Sequence, residues 1–588
     1  MKKTLVILFI LGGFCKINGQ ILQDYPFKTF LDIENNLFVT GYELNPNTNT
    51  KDVFIRRISQ STNTGDSWEK IIPNSAGDDQ GMDLKVDEQG NVFVTGYLFD
   101  NFSNSNKIII VSLNSDGTDK WMKFIDLNSD DKGTGIDVSI DANGFATDVF
   151  VSGYVSNSAT GKDIIVMKFS AETGDSLWQK VYSVPGDQVS THLLLDAGYA
   201  YVVGYTYPEG QSKSDIMIQS YWKEDGDLRD NLVYTQPGSN EIPTGFCVPY
   251  RSEDPISKSR SAVSSITDAI TPNNAKSSYL TICFDPDENN RLAPKWIRYI
   301  NSGNNTKYNI PTAITTDVSF DIYVTGYMQN LTKGLSYKPG FDFATVKYEG
   351  STGFPLWGRD QVIFTNYNDT STTGVDDKAT SIKLNSKRDV LIAGTSQGSP
   401  NGYSYTVIEQ NLNEPVEKFK KSFVPNFMEG LDAPTSNKLE KWATLELTSD
   451  GTPIMIVMGW NGTEAHWAAV KFDSLGNEEY TINNDEGNSG DRIAHAIGSE
   501  KTEVSIKNYP NPFNPTTNLE YGISELGYVS LKVYDMMGRE VVTLVNEKKN
   551  AGIHSVKFDG SQLSSGIYYY TLAVNGIRME TKSMVLMK

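Results

Sequence analysis

Four histidines, two cysteines beyond residue 20 and a recurring aspartate are the residues of this 588-residue chain whose types and spacing could do chemistry. His192, His466, His495 and His554 stand singly in separate strand-like runs, with no HxH or HExxH pattern and no cysteine neighbour. That isolation argues against a zinc centre, which needs several converging nitrogen and sulfur ligands, and against a histidine-based nucleophilic triad. Asp285-Pro286-Asp287-Glu288-Asn289-Asn290 resembles the opening of a calcium loop. It lacks the glycine at the sixth place and the glutamate at the twelfth, where Trp296 stands, so it reads as a turn. GxSxG, phosphate-loop and dinucleotide fingerprints do not occur where a helix could follow. No catalytic residue is assigned.

The aspartates repeat. Asp79, Asp131, Asp187, Asp377 and Asp491 each stand just before an alternating strand, in GDDQG, SDDKG, PGDQV, VDDKA and SGDRI. A carboxylate at such an entrance accepts backbone N–H bonds within its turn. Five of them set symmetrically around one face would instead form a ring that attracts cations, calcium among them, or basic ligands. Both readings are kept, and no other cofactor is expected.

The elements that must position these residues recur too. LFVTGY begins at Leu37, VFVTGY at Val92, VFVSGY at Val149, YVVGY at Tyr201, IYVTGY at Ile322, LIAGT at Leu391 and IVMGW at Ile456. Gly41, Gly96, Gly153 and Gly204 are 55, 57 and 51 residues apart. Gly204 and Gly326 are 122 residues apart, which is two periods, so a degenerate unit lies between them. Each unit has an alternating strand, a turn rich in Asp and Gly, the glycine strand, a third strand such as KIIIVSLN from Lys107, and a fourth. The fourth often opens on tryptophan: Trp68, Trp121, Trp178, Trp296 and Trp357. In the degenerate unit, SYLTICFD from Ser278 and KWIRYI from Lys295 are strands three and four; the first two are expected near 244–250 and 262–270.

Tandem four-stranded units without helical periodicity predict an all-β fold whose N-terminal part is a β-propeller. Eight four-stranded blades are counted, with seven the alternative if the degenerate unit is over-read. The phrase glycine reads as a close backbone approach, and the aromatics and tryptophans as packing between twisted blades. A surplus strand of the first type, Phe27 to Ile33 or Arg492 to Ile497, is expected to close the ring by pairing across the first and last blades. The repeats are similar to the bacterial secreted β-propeller repeat family, best in the first three units.

From Glu503 the pattern changes to about seven short runs broken by Gly, Pro, Asn and Asp, which predicts an Ig-like β-sandwich. It contains Tyr509-Pro510-Asn511-Pro512-Phe513-Asn514-Pro515, Tyr534-Asp535 before Gly538-Arg539, Ser565-Gly566-Ile567-Tyr568 and a final strand ending at Lys588. These residues resemble the type A (Por-type) C-terminal sorting domain of bacterial type IX secretion, found in Bacteroidetes and their relatives. The resemblance implies that Pro510, Asn511, Pro512, Phe513, Asn514, Pro515, Gly538, Gly566 and Lys588 belong to the sorting motif. It also implies two partners, the type IX machinery and its C-terminal signal-processing enzyme, and a mature protein that is released or anchored at the outer-membrane surface. At the other end, Lys2 and Lys3 precede an apolar run from Leu5 to Phe14, followed by Gly19 and Gln20. That is a secretory signal leading to the periplasm. It is too short for a transmembrane helix, and Phe14 before Cys15 spoils a lipoprotein motif.

The expected organisation is a signal peptide at 1–19, a propeller at 20–482, a linker at 483–502 and a sorting domain at 503–588. The formal net charge is −20. Residues 503–588 are nearly balanced, with nine Lys and Arg against eight Asp and Glu, so the acidity lies in the propeller. An acidic surface excludes nucleic acid, whose recognition needs phosphate neutralisation by Lys and Arg. Cys247 and Cys283 provide no disulfide framework and are expected to stay unpaired, two strands apart. The function expected is an exported, non-catalytic binding or interaction module with a surface glycan or protein ligand. The alternative is a secreted polysaccharide hydrolase or lyase built on the propeller, which rests on fold analogy.

Overall fold

The computed structural model describes residues 23–45, 50–59, 67–74, 77–127, 130–248, 260–267, 277–300, 308–329, 341–357, 363–365, 377–385, 389–399, 402–410, 417–423, 443–460, 465–472, 478–481, 506–523, 527–535, 539–549, 552–574 and 577–588, with Thr48 and a few residues at 16–21. The chain divides into two compact units, Met1–Ile493 and Ala494–Lys588. Residues 483–502 and Arg492 to Ile497 lie outside the described residues, as do the signal segment 1–15, Asp491 and Gly538.

Runs of Val, Ile and Phe make the second and third strands of each repeat apolar on both faces, so both faces must be covered. In the first unit the covering is mutual. Eight four-stranded antiparallel sheets, each in simple sequence order, make up the described part. Among the described residues seven hydrophobic cores lie between successive sheets. Val53, Ile55, Val92 and Ile109 belong to the core of the first pair, and Leu391, Val407, Met455 and Val470 to that of the last. The sheets are therefore blades, and eight is the count. The degenerate unit is a full blade: Glu241–Cys247, Ser261–Thr267, Ser278–Pro286 and Leu292–Ile300.

The first strands line the axis. They are Gln23–Leu31, Gln80–Val86, Lys132–Ile140, Gly186–Leu195, Glu241–Cys247, Asn309–Thr316, Asp377–Leu384 and Ala443–Leu447, and each packs on the next around the ring. Of the two strands expected to close the ring, Arg492 to Ile497 lies outside the described residues, and the other differs from the expectation. Gln23–Leu31 is no surplus strand; it pairs with Leu37–Leu44 as the inner strand of the first blade. It meets the eighth blade by packing on Ala443–Leu447 and Ala465–Phe472 and through Thr29 Oγ1, which donates to Glu446 Oε1 at 2.8 Å. No strand is shared between first and last blades among the described residues.

The phrase glycine has a specific cause. In blades one to seven the inner strand carries a β-bulge at one place, marked by register shifts such as Gly81/Asp83, Gly133/Gly135 and Pro311/Ala313. The bulge turns a carbonyl toward the second strand. A Cβ on Gly96 or Gly204 would lie 2.0 Å from the carbonyl oxygen of Gln80 or Val189, and one on Gly326 2.1 Å from that of Ile310. Glycine meets that approach without displacing either strand. In the degenerate blade Ser265 takes the glycine's place opposite Pro243 although the bulge is kept, so the phrase is lost there.

The tryptophans lock neighbouring blades. Nε1 of Trp68, Trp121, Trp178 and Trp296 donates to the carbonyls of Ser115, Ala171, Lys223 and Gly350 in the following blade, at 2.8, 2.9, 3.1 and 3.0 Å. Trp357 departs from the expectation that it opens a fourth strand. That strand is Ile363–Thr365, and Trp357 lies buried ahead of it, edge-on to Tyr323. Cys247 and Cys283 are both free, on the first and third strands of one blade with Ala262 between them.

The second unit packs a three-stranded sheet and a four-stranded sheet around Phe513, Leu519, Leu531, Val533, Tyr570 and Leu572. Seven strands in two antiparallel sheets make it an Ig-like sandwich.

Candidate functional site

Where each blade bulges, the extra residue is unpaired and faces the axis. These residues are Phe27, Met82, Thr134, Thr191, Thr244, Thr312 and Thr380, and all line one axial cavity of about 1140 Å³. Blades three to seven thus contribute an arc of threonines. Thr191, Thr244, Thr312 and Thr380 donate to the second-strand carbonyls of Val203, Ser264, Thr325 and Ala393 at 3.1 to 3.3 Å. Thr312 and Thr380 also reach Ala379 O and Ala443 O in the next blade, at 2.8 and 2.5 Å. In these four the hydroxyl proton is directed to a carbonyl, so an oxygen lone pair is what they offer; Thr134 Oγ1 lies 2.6 Å from Ser190 Oγ, where either hydroxyl can donate.

The charged residues of the wall are paired. Lys28 Nζ lies 3.3 Å from Asp83 Oδ1, Lys85 Nζ 3.4 Å from Asp137 Oδ1 and Lys383 Nζ 3.2 Å from Glu446 Oε2. The carboxylates are also bonded across blades: Asp83 Oδ2 accepts Ile136 N–H and Asp137 Oδ2 accepts Leu195 N–H, each at 3.0 Å. His192 lines the same cavity, its Nδ1 2.9 Å from Thr191 Oγ1. Burial within the ring, helped by nearby Lys28 and opposed by Asp83, pushes its pKa down to about 4. It is neutral at pH 7.

The recurrent acids sit elsewhere; none of the described four lines the cavity. Asp79 is fully buried, and its Oδ1 accepts Phe99 N–H at 2.7 Å and Asn74 Nδ2–H at 3.0 Å. Asp131 is buried as well, accepting Leu127 N–H at 2.8 Å and Ser156 N–H at 3.3 Å. Asp377 is buried and takes the Ser396 hydroxyl. Their own N–H groups reach back to the preceding blade: Asp79 N–H to Lys51 O at 2.9 Å and Asp131 N–H to Asn106 O at 3.0 Å. Asp187 is one residue out of step. Its neighbour Gln188, three residues before the bulge, holds the equivalent buried place, while Asp187 accepts Lys162 N–H at 2.9 Å. Glu241 and Asn309 take that place in blades five and six. The position is a hydrogen-bonding clasp between blades, filled by acids and amides alike.

The remaining sequence candidates are scattered. His554 stacks on Tyr521 in the second unit, 5.4 Å between centroids. The side chains of His466 and His495 lie outside the described residues. Asp285 pairs with Arg260 at 2.9 Å and Lys295 at 2.7 Å, and Asp287 caps its turn through Asn289 and Arg291 N–H, so the calcium-like segment is a turn. Among the described residues no three His, Cys, Asp or Glu groups converge as metal ligands.

In the second unit the proline motif is bound along the last strand. Phe513 is 2% exposed; its N–H donates to Val585 O and its carbonyl accepts Met587 N–H, both at 2.9 Å. Asn511 Oδ1 accepts Val585 N–H at 2.9 Å, Thr517 Oγ1 donates to Pro510 O and Gly560 N–H donates to Pro515 O, each at 2.8 Å. Pro510, Asn511, Pro512 and Asn514 remain exposed. Gly566 pairs with Leu586, and Lys588 Nζ donates to Ser561 O at 2.5 Å. Asp535 holds Arg539 by its N–H at 3.0 Å and its guanidinium at 2.7 Å. The motif thus joins the two ends of the sandwich and shows its polar side to solvent.

Residues 507–586 match the family described as the secretion system C-terminal sorting domain. No curated protein matches the chain significantly. Among solved structures, a europium-containing methanol dehydrogenase is 11% identical with a TM-score of 0.41, over 74% of this chain and 85% of that one. The β-propeller domain of the Trilobed protease from Pyrococcus furiosus, reported with an open velcro topology, is 10% identical with a TM-score of 0.34, over 69% of this chain and 96% of that one. No helix among the described residues is long and apolar enough to cross a membrane. The chain is a β-propeller protein that carries a type IX secretion system C-terminal sorting domain, and it is built for export.

Proposed function

We propose that this protein is an exported, non-catalytic binding module. It reaches the periplasm through its N-terminal signal and crosses the outer membrane by type IX secretion, to be released or anchored there. The observation that carries the binding reading is the axial cavity: about 1140 Å³, slightly above the usual range for small-molecule sites, with apolar side chains interleaved with a few convergent polar ones. Against catalysis stands the use made of its acids. A glycosidase needs one carboxyl free to donate a proton and another free to attack or activate water, whereas Asp83 and Glu446 are each engaged by a lysine and a further hydrogen-bond donor. A glycan array run beside a panel of polysaccharide substrates on the purified protein tests this. Binding without turnover supports the reading, and cleavage of any polysaccharide refutes it in favour of a hydrolase or lyase.

The export step has its own test. Deleting 503–588 should leave a folded propeller retained in the periplasm, because the sandwich closes its own core. Fusing those residues to a signal-bearing passenger should move it outside in a host with type IX secretion. A truncated chain found at the surface at normal levels would overturn the route, and one that unfolds would overturn the boundary.

A further inference from the structure

The ion pairs of the axial cavity are unequal in what they present. In Lys28–Asp83 the lysine side chain is 48% exposed and the aspartate 12%; in Lys383–Glu446 the values are 43% and 11%. The carboxylates are turned into the wall and held there, Asp83 by the N–H groups of Leu84 and Ile136 and Glu446 by the Thr29 hydroxyl. Lys28 lines the cavity, and attraction to Asp83 outweighs desolvation and keeps it charged. Lys28 comes from the first blade and Lys383 from the seventh, and both interact with Glu446 of the eighth between them. Two ammonium groups therefore face the cavity near the point where the ring closes, and the threonine arc spans blades three to seven.

We propose that the axial cavity binds an acidic oligosaccharide, with a uronate carboxylate held by Lys28 and Lys383 and sugar hydroxyls donating to the threonine arc. This rests on the binding-module reading above and names the ligand class. An ammonium has three N–H donors, and one carboxylate partner leaves donors over for a second acceptor. The hydroxyl oxygens of Thr191, Thr244, Thr312 and Thr380, their protons directed to carbonyls, accept from ligand hydroxyls. Phe27, Phe30 and Met82 supply apolar surface for the C–H faces of sugar rings. The acidic exterior repels an anion only within a Debye length, about 8 Å at physiological salt, so the affinity is decided inside the cavity.

The test is calorimetric titration of the full chain with tetragalacturonate and with its methyl ester, which keeps the shape and removes the charge. The acid is expected to bind at least about tenfold more tightly than the ester, the value of a charge-assisted hydrogen bond. Lys28→Gln and Lys383→Gln should each remove about tenfold of the acid's affinity and leave the ester's unchanged. Equal binding of acid and ester, or lysine variants without effect, overturns the proposal. Should a variant not fold, the wild-type protein still decides: affinity for the acid must fall with rising salt, and a salt-independent affinity overturns the proposal. Binding confined to neutral glycans overturns this inference and leaves the module reading intact, whereas polysaccharide cleavage overturns both.

Discussion

Replacing Asp79 by asparagine should stabilise the propeller above neutral pH and not below pH 4. Asp79 is fully buried, both of its hydrogen bonds fall on Oδ1, and Oδ2 has no partner among the described residues. Desolvation outweighs those two bonds, the carboxylates of Asp52 and Asp78 add repulsion, and the pKa is pushed from 3.8 up to about 7. The sign follows from linkage. Between pH 4 and 7 the unfolded chain has lost this proton while the folded chain keeps it, so stability falls as pH rises through that window and levels off above it. The difference between 3.8 and about 7 corresponds to at most about 4 kcal/mol at pH 8. Asparagine reproduces the neutral acid: its oxygen keeps the bonds from Phe99 and Asn74, and it cannot ionise. Urea unfolding followed by tryptophan fluorescence isolates the propeller, because all nine tryptophans precede residue 468. The variant should match wild type near pH 4 and exceed it by about 2 to 4 kcal/mol at pH 8. Stability curves that stay parallel from pH 4 to 8 would show that Asp79 ionises like an exposed aspartate and that its burial has been misjudged.

Other substitutions test other links. Arg56, with its side chain 1% exposed, bonds Glu43 at 3.1 Å and Glu69 at 2.6 Å; Arg56→Ala should cost about 3–5 kcal/mol in urea unfolding by leaving buried carboxylates unpaired. Gly96→Ala, which would put a Cβ 2.0 Å from Gln80 O, should destabilise by more than about 3 kcal/mol or prevent folding, seen as lost soluble expression; a neutral effect would refute the bulge explanation of the phrase. Phe513→Ala should lower the melting temperature of the full chain's sandwich transition, a loss of about 3–5 kcal/mol for a buried phenylalanine, and leave tryptophan-detected unfolding in place.

The blade count was legible because the glycine phrase follows backbone geometry: in six of the seven bulged blades the residue opposite the bulge is glycine. Even the degenerate blade could be placed, since its third and fourth strands keep their apolar pattern after Ser265 replaces the glycine. The cavity wall was not legible for the same geometric reason. A bulge inserts one residue and exchanges the two faces of a strand, so alternation read through Lys132–Ile140 cannot say that Thr134 faces the axis. A usable signal existed, an acid or amide three residues before the bulge, as in Asp131 to Thr134, Glu241 to Thr244 and Asp377 to Thr380. Asp187 shows the cost of arguing from symmetry: one extra residue moves it out of register and leaves Gln188 in the buried place.

Ring closure joins stability to the cavity. A propeller that completes its last blade with an N-terminal strand closes on a ladder of backbone hydrogen bonds. Here the described blades are each complete in sequence order, and among the described residues the first and last are joined by side chains and packing. Glu446 is central to it: one carboxylate oxygen takes the Thr29 hydroxyl from the first blade and the other meets Lys383 of the seventh. Asn35 and Ser449 add a second contact, with Ser449 N–H donating to Asn35 Oδ1 at 2.6 Å. The residue that holds the ends together is thus the residue that sets the position of a cavity lysine. An anion seated between Lys28 and Lys383 would draw the first and seventh blades toward the eighth, so ligand binding and closure should strengthen each other. A ring closed on a shared strand would have no such coupling, because its ends would already be joined by the sheet.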